Sequence, residues 1–288
     1  MRARSHVRIG IGGQRSLLGL LSATNAPSTS IAVYFHGFPD LSVHPDEGAP
    51  PEYASRFPRK LEEALEMDIL SVNFSGLPGS DAEASYRTKT LQRELVDAQG
   101  VVAYCATELR KAHVHVVGLS TGAILAACLR SFDHPQLRTI AVIAGIADAV
   151  AGMSLDFSPQ QLAAMDSEGY CSHGFYWPKD WPLAEDCVKD ESFESTYKVW
   201  RPLDRAYTDG MATLDIRQHV ASGTVPFLVI HGSADKSVSV NHGQNLFATA
   251  AEPKQWLLIK GANHLLTNTS HMKKALNAIV AHITRAVT

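Results

Sequence analysis

The chain has 288 residues, 45% of them hydrophobic and 19% charged, with a formal net charge of −3. That length can bury one large α/β core, or a core carrying an insertion, and the slightly acidic balance offers no electrostatic footprint for nucleic acid or an anionic membrane surface. There is no Gly-x-Gly-x-x-Gly stretch, no phosphate loop and no His/Cys/carboxylate cluster at metal spacing, so neither cofactor nor metal is expected.

His6–Ile11 and Ser16–Ser22 read as two short strands of a hairpin around Gly12-Gly13-Gln14. After a turn at Thr24–Ser30, the apolar run Ile31–Phe35 reads as a buried strand ending in His36-Gly37. A long loop with Pro39, Pro45, Pro50 and Pro51 follows, of the kind that is usually functional or mobile. Helical spacing over Tyr53–Met67 puts Phe57, Leu61, Ala64 and Leu65 on one face. A strand over Asp68–Phe74 is broken by Gly76–Asp81, and a long helix over Thr90–Ala112 carries the stripe Leu91, Leu95, Ala98, Val102 and Cys105.

The next segment, Val114 to Ala127, is the most informative. A β-branched run enters Gly118-Leu119-Ser120-Thr121-Gly122, and an alanine-rich helical pattern follows at once. This strand–sharp turn–helix context turns a serine into an exposed nucleophile, with the flanking positions nearly free of side chains. The helix that follows aims its N-terminal N–H groups at any oxyanion forming above Ser120.

Leu137–Ala144 is a further strand, and then the alternation stops. From Asp148 to His219 the chain is rich in aromatics, including Phe157, Tyr170, Trp177, Trp181, Phe193, Trp200 and Tyr207, and reads as an inserted helical lid with loops. The expected division is therefore core over 1–147, lid over 148–219 and core again over 220–288. The lid aromatics read first as packing residues, and a pocket lined by several of them would favour an apolar or aromatic acyl group. Strand Val225–His231, a helix over Val240–Ala251, strand Trp256–Ile259 and a helix from Ser270 onward complete the chain. The fold class implied is α/β, a mostly parallel twisted sheet with helices on both faces.

A serine hydroxyl needs a base, an orienter for that base and oxyanion donors. Asp235 follows one late strand and His264 follows the next, at the sheet edge where catalytic groups of such folds gather. The order Ser120, Asp235, His264 is that of hydrolases with a nucleophile elbow. Asp148, after the strand ending Ala144-Gly145, is the rival acid. His36 and His231, each at a strand end, read as loop-holding residues, and His242, His271 and His282 as exposed positions on helices.

With His36-Gly37-Phe38, Gly118–Gly122, His231–Asp235 and Gly261–His264 in register, the chain resembles the α/β-hydrolase superfamily over most of its length. The His-Gly-Phe loop and the late insertion resemble the small cytoplasmic esterases that include cinnamoyl and feruloyl esterases and monoacylglycerol-lipase-like enzymes. The resemblance implies Ser120 as nucleophile, His264 as general base then acid, Asp235 as its orienter, and the backbone N–H groups of Phe38 and Thr121 as the oxyanion hole. One stretch departs from the family, which commonly has Asp-x-Arg-Gly-x-Gly-x-Ser after the corresponding strand. Here it reads Asn73-Phe74-Ser75-Gly76-Leu77-Pro78-Gly79-Ser80, without the arginine.

The expected activity is hydrolysis of a small-molecule carboxylic ester through an acyl-enzyme. A thioesterase or aminopeptidase of the same fold, or a ligand-binding receptor that retains the three residues, stays open. Arg2, Arg4 and Arg8 are not followed by an apolar stretch of signal-peptide length, so a cytoplasmic location is expected. Cys105 and Cys128 read as buried thiols, and whether Cys171 and Cys187 approach each other is left open.

Overall fold

A computed structural model describes residues 2–13, 15–38, 41–45, 48, 50–80, 86–180, 183, 185–194 and 196–287. In chain order its elements are β1 (Ala3–Gly10), β2 (Ser16–Ala23), β3 (Ser30–Phe35), α1 (Arg56–Ala64), β4 (Asp68–Val72), α2 (Leu91–Thr107), β5 (His113–Leu119), α3 (Thr121–Cys128) and β6 (Leu137–Ile143). There follow α4 (Ala149–Asp156), α5 (Pro159–Glu168), β7 (Tyr170–Pro178), β8 (Val188–Ser192), β9 (Thr196–Asp204), α6 (Ala206–Thr213) and α7 (Ile216–Ser222). The chain closes with β10 (Phe227–Gly232), α8 (Val240–Thr249), β11 (Lys254–Ile259) and α9 (Thr269–Val287). Gln14, Pro39, Asp81 and Trp181, named in the sequence reading, lie outside the described residues.

Among the described residues, eight strands form the main sheet in the order β1-β2-β4-β3-β5-β6-β10-β11. The β1–β2 and β2–β4 pairs are antiparallel and all the others parallel. Period-two alternation sends neighbouring side chains into separate cores. Ile31, Val33 and Phe35 of β3 join the face covered by α2 and α3, while Ala32 and Tyr34 join the face covered by α1 and α9. Both faces being dry, every residue of β3 is buried, which is why it reads as a continuous apolar run. At about 1.5–3 kcal/mol per fully buried large aliphatic side chain, the two cores fix the register that places the strand ends.

Between β6 and β10 the structure differs from the expectation of helices and loops. β7, β9 and β8 form an antiparallel three-stranded sheet flanked by helices α4 to α7. The alternation is present in β9, where Val199, Arg201 and Leu203 point inward, but a buried arginine in the middle hides it from an apolar count. Gly174 of β7 sits opposite Trp200, and a Cβ there would lie 2.7 Å from the indole ring. A second correction concerns His282, expected at an exposed helix position. It is buried, with Nε2 at 3.3 Å from the Pro226 carbonyl. All four cysteines are free thiols. Among the described residues, no helix is long and apolar enough to cross a membrane.

Candidate functional site

β5 runs through the centre of the sheet and ends at Leu119, and α3 begins at Thr121, leaving Ser120 alone to make the turn. It does so at φ 55°, ψ −118°, a left-handed conformation that costs about 1–3 kcal/mol for a residue with a side chain. The surroundings over-determine it. Ser120 N–H donates to the Ile143 carbonyl at 3.0 Å, and Ala123 N–H returns to the Ser120 carbonyl at 2.9 Å. The two flanking glycines are obligatory for spacing. A Cβ on Gly118 would sit 2.2 Å from the Gly122 carbonyl oxygen, and one on Gly122 would sit 2.2 Å from that of Phe35. Helix α3 is buried at every residue, so its N-terminus cannot retreat.

The end of β3 lies beside this turn. A Cβ on Gly37 would be 3.1 Å from Ser120 Cβ and 3.7 Å from its Oγ, so the His36-Gly37-Phe38 backbone touches the serine. His36 is buried, and its Nδ1–H donates to the Gly37 carbonyl at 2.7 Å. Burial pushes its pKa down to about 3 against the opposing pull of that carbonyl, with nearby Lys89 adding to the depression. It therefore holds the loop as an uncharged ring. The backbone N–H groups of Phe38 and of Thr121, the first residue of α3, have no acceptor among the described residues. The Phe38 ring stacks on Tyr207 at 5.0 Å and lies 4.9 Å from His173, 6.1 Å from Tyr86 and 6.4 Å from Phe157.

Asp235 and His264 come together. Asp235 follows β10, His264 follows β11, and Nδ1 of the histidine is 2.9 Å from Oδ2 of the aspartate. The other carboxylate oxygen accepts the N–H groups of Ser237 at 2.9 Å and Val238 at 2.8 Å. His231 Nε2 approaches Oδ2 from the β10 side at 3.5 Å. Burial alone would raise the pKa of Asp235, but the bonds from His231, His264 and the Val238 N–H hold it well below the ordinary carboxylate range. In the neutral ring, a carboxylate against Nδ1 makes that nitrogen the protonated one, so the lone pair falls on Nε2. Asp148 is engaged elsewhere. It caps α4 through Ala151 N–H at 3.1 Å and meets Arg217 at 3.4 Å.

The profile of the alpha/beta hydrolase family matches residues 32–279. The chain belongs to the alpha/beta hydrolase family. Among solved structures of this hydrolase fold, it is similar to Est1E from Butyrivibrio proteoclasticus bound to ferulic acid, with 16% identity, 98% of this chain and 99% of that chain covered, and a TM-score of 0.68. It is similar too to the esterase domain of a Rhodothermus marinus protein, with 15% identity, 99% and 100% coverage and a TM-score of 0.64. The esterase Pf2001 of Pyrococcus furiosus has 13% identity, 100% and 94% coverage and a TM-score of 0.66. No curated protein sequence matches the chain.

The stretch from Asn73 to Ser80, which lacks the arginine expected from the resemblance, is held by its own set of polar contacts. Asn73 Oδ1 accepts the N–H groups of Ser42 at 2.9 Å and Val43 at 3.0 Å, while Nδ2 donates to the Val43 carbonyl at 2.9 Å, tying the long loop to the sheet. Lys89, almost fully buried, donates to the Ser75 carbonyl at 3.0 Å and pairs with Glu94, and Asp97 accepts the Ser75 N–H at 3.0 Å. From the insertion, Arg201 of β9 reaches the Gly76 carbonyl at 3.4 Å, pairs with Asp186 and lies 4.1 Å over the Tyr86 ring. Glu94 and Asp97 fall on the apolar stripe of α2, where an i, i+3 pair of acids could have signalled a buried cation. Sequence reasoning also passed over Asp156, the last residue of α4. Burial raises its pKa to about 6, against the opposing influence of His264.

Proposed function

We propose that this alpha/beta hydrolase is a serine esterase that cleaves small-molecule carboxylic esters through an acyl-enzyme. The observation that carries this reading is the strained backbone of Ser120 with Gly37 packed against it. That arrangement spends stability on fixing one hydroxyl at a turn whose adjoining backbone carries the unbonded N–H groups of Phe38 and Thr121. The Asp235–His264 bond at 2.9 Å and the ferulate-bound and esterase relatives support it further.

In this reading Ser120 Oγ attacks the ester carbonyl carbon while its proton passes to Nε2 of His264. The carbonyl oxygen becomes the oxyanion and accepts from Phe38 and Thr121 N–H. Collapse of the tetrahedral intermediate breaks the bond to the alcohol oxygen, which takes the proton from His264. Water then repeats the sequence on the acyl-enzyme, its proton going to His264 and on to Ser120 as the acid leaves. Asp235 keeps the imidazole in the required tautomer and stabilises it when charged. The segment between β6 and β10 serves as a lid whose aromatics pack on the Phe38 loop.

The test is labelling with a fluorophosphonate probe followed by turnover of a short-chain aryl ester. The expected result is one label, lost in Ser120→Ala, with turnover lost in parallel. Labelling without turnover of any ester or thioester would instead mark a ligand-binding member of the family. Undiminished turnover in Ser120→Ala would overturn the assignment.

A further inference from the structure

His231 is a buried imidazole that this mechanism does not use. It lies in β10 with no solvent exposure, and its Nε2 is 3.0 Å from the Val238 carbonyl oxygen and 3.5 Å from Asp235 Oδ2. Both neighbours are acceptors, so Nε2 carries the proton. Nδ1, at the other side of the ring, has no partner among the described residues. It faces Gly243 of α8, where a Cβ would stand 2.5 Å from Nδ1 and 3.1 Å from Cγ. A buried nitrogen without a partner costs about 1–3 kcal/mol, and a leucine at this position would avoid that cost. Two features thus work against ordinary packing: an imidazole left half-satisfied, and a glycine in the facing helix that makes room for it.

We propose that His231 is a positioning residue for the acid of the site, its Nε2–H shared between the Val238 carbonyl and Asp235 Oδ2 so that this oxygen stays aimed at His264. The two contacts on the other oxygen do not supply this. Ser237 and Val238 N–H both fall on Oδ1 and leave rotation about the Cβ–Cγ bond opposed only at one oxygen. His231 approaches the second oxygen from the β10 side, and tethers the Val238 backbone that supplies one of the Oδ1 donors. The other ionisable side chains near this group are His264 across the carboxylate and His242 on α8. The inference rests on the serine-esterase reading, in which Asp235 orients His264.

The experiment is steady-state turnover of a short-chain aryl ester from pH 5 to 9 by His231→Leu, His231→Gln and Gly243→Ala, with Ser120→Ala as control. Loss of a hydrogen bond to a charged group predicts a kcat about tenfold lower in His231→Leu with KM unchanged. Asp235 becomes more basic without that donor and stabilises the His264 imidazolium more, so the acid limb of kcat/KM moves to higher pH. Gln at 231, whose amide N–H can reach the same two oxygens, recovers most of kcat. In an Asp235→Asn background His231→Leu has no further effect. Should His231→Leu fail to fold, Gly243→Ala displaces the ring with its chemistry intact and is expected to lower kcat in the same way. Wild-type kcat and pH profile in His231→Leu, or equal losses in the Leu and Gln variants, would overturn the positioning role. Turnover surviving in Ser120→Ala would overturn the underlying reading instead.

Discussion

Replacing Asp156 by Asn separates the cost of a buried carboxyl from its influence on the site. Asp156 ends α4, its backbone carbonyl is 3.3 Å from His173 Nε2, and the next residue, Phe157, packs on Phe38. Burial lifts its pKa from 3.8 to about 6, with His264 pulling the other way. A carboxyl that holds its proton more tightly when folded does not affect stability below its unfolded pKa. It becomes a liability as the pH rises from 3.8 to about 6, and above that the full cost is about 3 kcal/mol, a ceiling because the side chain is half-buried and partly screened. Asn keeps the shape and removes the ionisation. Urea unfolding of wild type and Asp156→Asn at pH 4, 5, 6 and 7.5 should therefore show curves that nearly coincide at pH 4. The variant should gain up to about 3 kcal/mol by pH 7.5. The ionised carboxylate also favours the His264 imidazolium, so the acid limb of the variant's rate profile should move to lower pH. A stability difference that does not change with pH, or a variant less stable than wild type at pH 7.5, would refute this reasoning.

Three further outcomes follow from the same geometry. Asp235→Asn is expected to fold normally and lose about 10³–10⁴ in kcat, because an amide at Oδ2 favours the wrong tautomer of His264; steady-state kinetics beside a thermal melt checks it, and activity within tenfold of wild type would exclude the role. Gly37→Ala puts a methyl 3.1 Å from Ser120 Cβ, which strain keeps from yielding, so kcat should fall about 10- to 100-fold at little cost in stability, a result read by kinetics and melting together. Arg201→Met strips Asp186 and the Gly76 carbonyl of their cation and should cost about 2–3 kcal/mol, with faster proteolytic nicking inside the β7–β9 region than in the core.

Where the sequence was legible, a simple physical period lay behind it. The strands β3, β6 and β10 are buried on both faces, so their apolar runs announce them, and the glycines at 118 and 122 announce the elbow because no side chain fits there. Asp235 and His264 stand out in the sequence because each comes a few residues after a strand, Asp235 after the fully buried β10 and His264 after the edge strand β11. The insertion was not legible in the same way. β9 alternates correctly, but Arg201 occupies a core position, held there by Asp186 and by the Gly76 carbonyl, the latter 125 residues away along the chain. The burial of His282 is hidden from its helical spacing for a similar reason: it depends on the Pro226 carbonyl, a contact across 56 residues. The aromatics Phe157 and Tyr207, between β6 and β10, read as packing residues, yet what they pack on, the Phe38 ring, is a tertiary fact.

Three aspartates compete for the role beside His264, and donors rather than position separate them. Asp148, the rival on sequence grounds, is exposed enough to be solvated and is already used by the Ala151 N–H and Arg217. Asp156 feels His264 electrostatically, but no hydrogen-bond donor among the described residues reaches its side chain, so burial wins and its proton affinity rises. Asp235 has a side chain with no exposure at all, and burial should have raised it further. Instead, two backbone N–H groups and two imidazoles surround its oxygens and hold it ionised. An anion that stays charged in a dry site can stabilise an imidazolium, whereas a carboxyl that must first lose its own proton near pH 6 cannot do so over the same range. The environment that makes Asp235 suitable is built by the loop between β10 and α8, with His231 closing the side that the backbone leaves open.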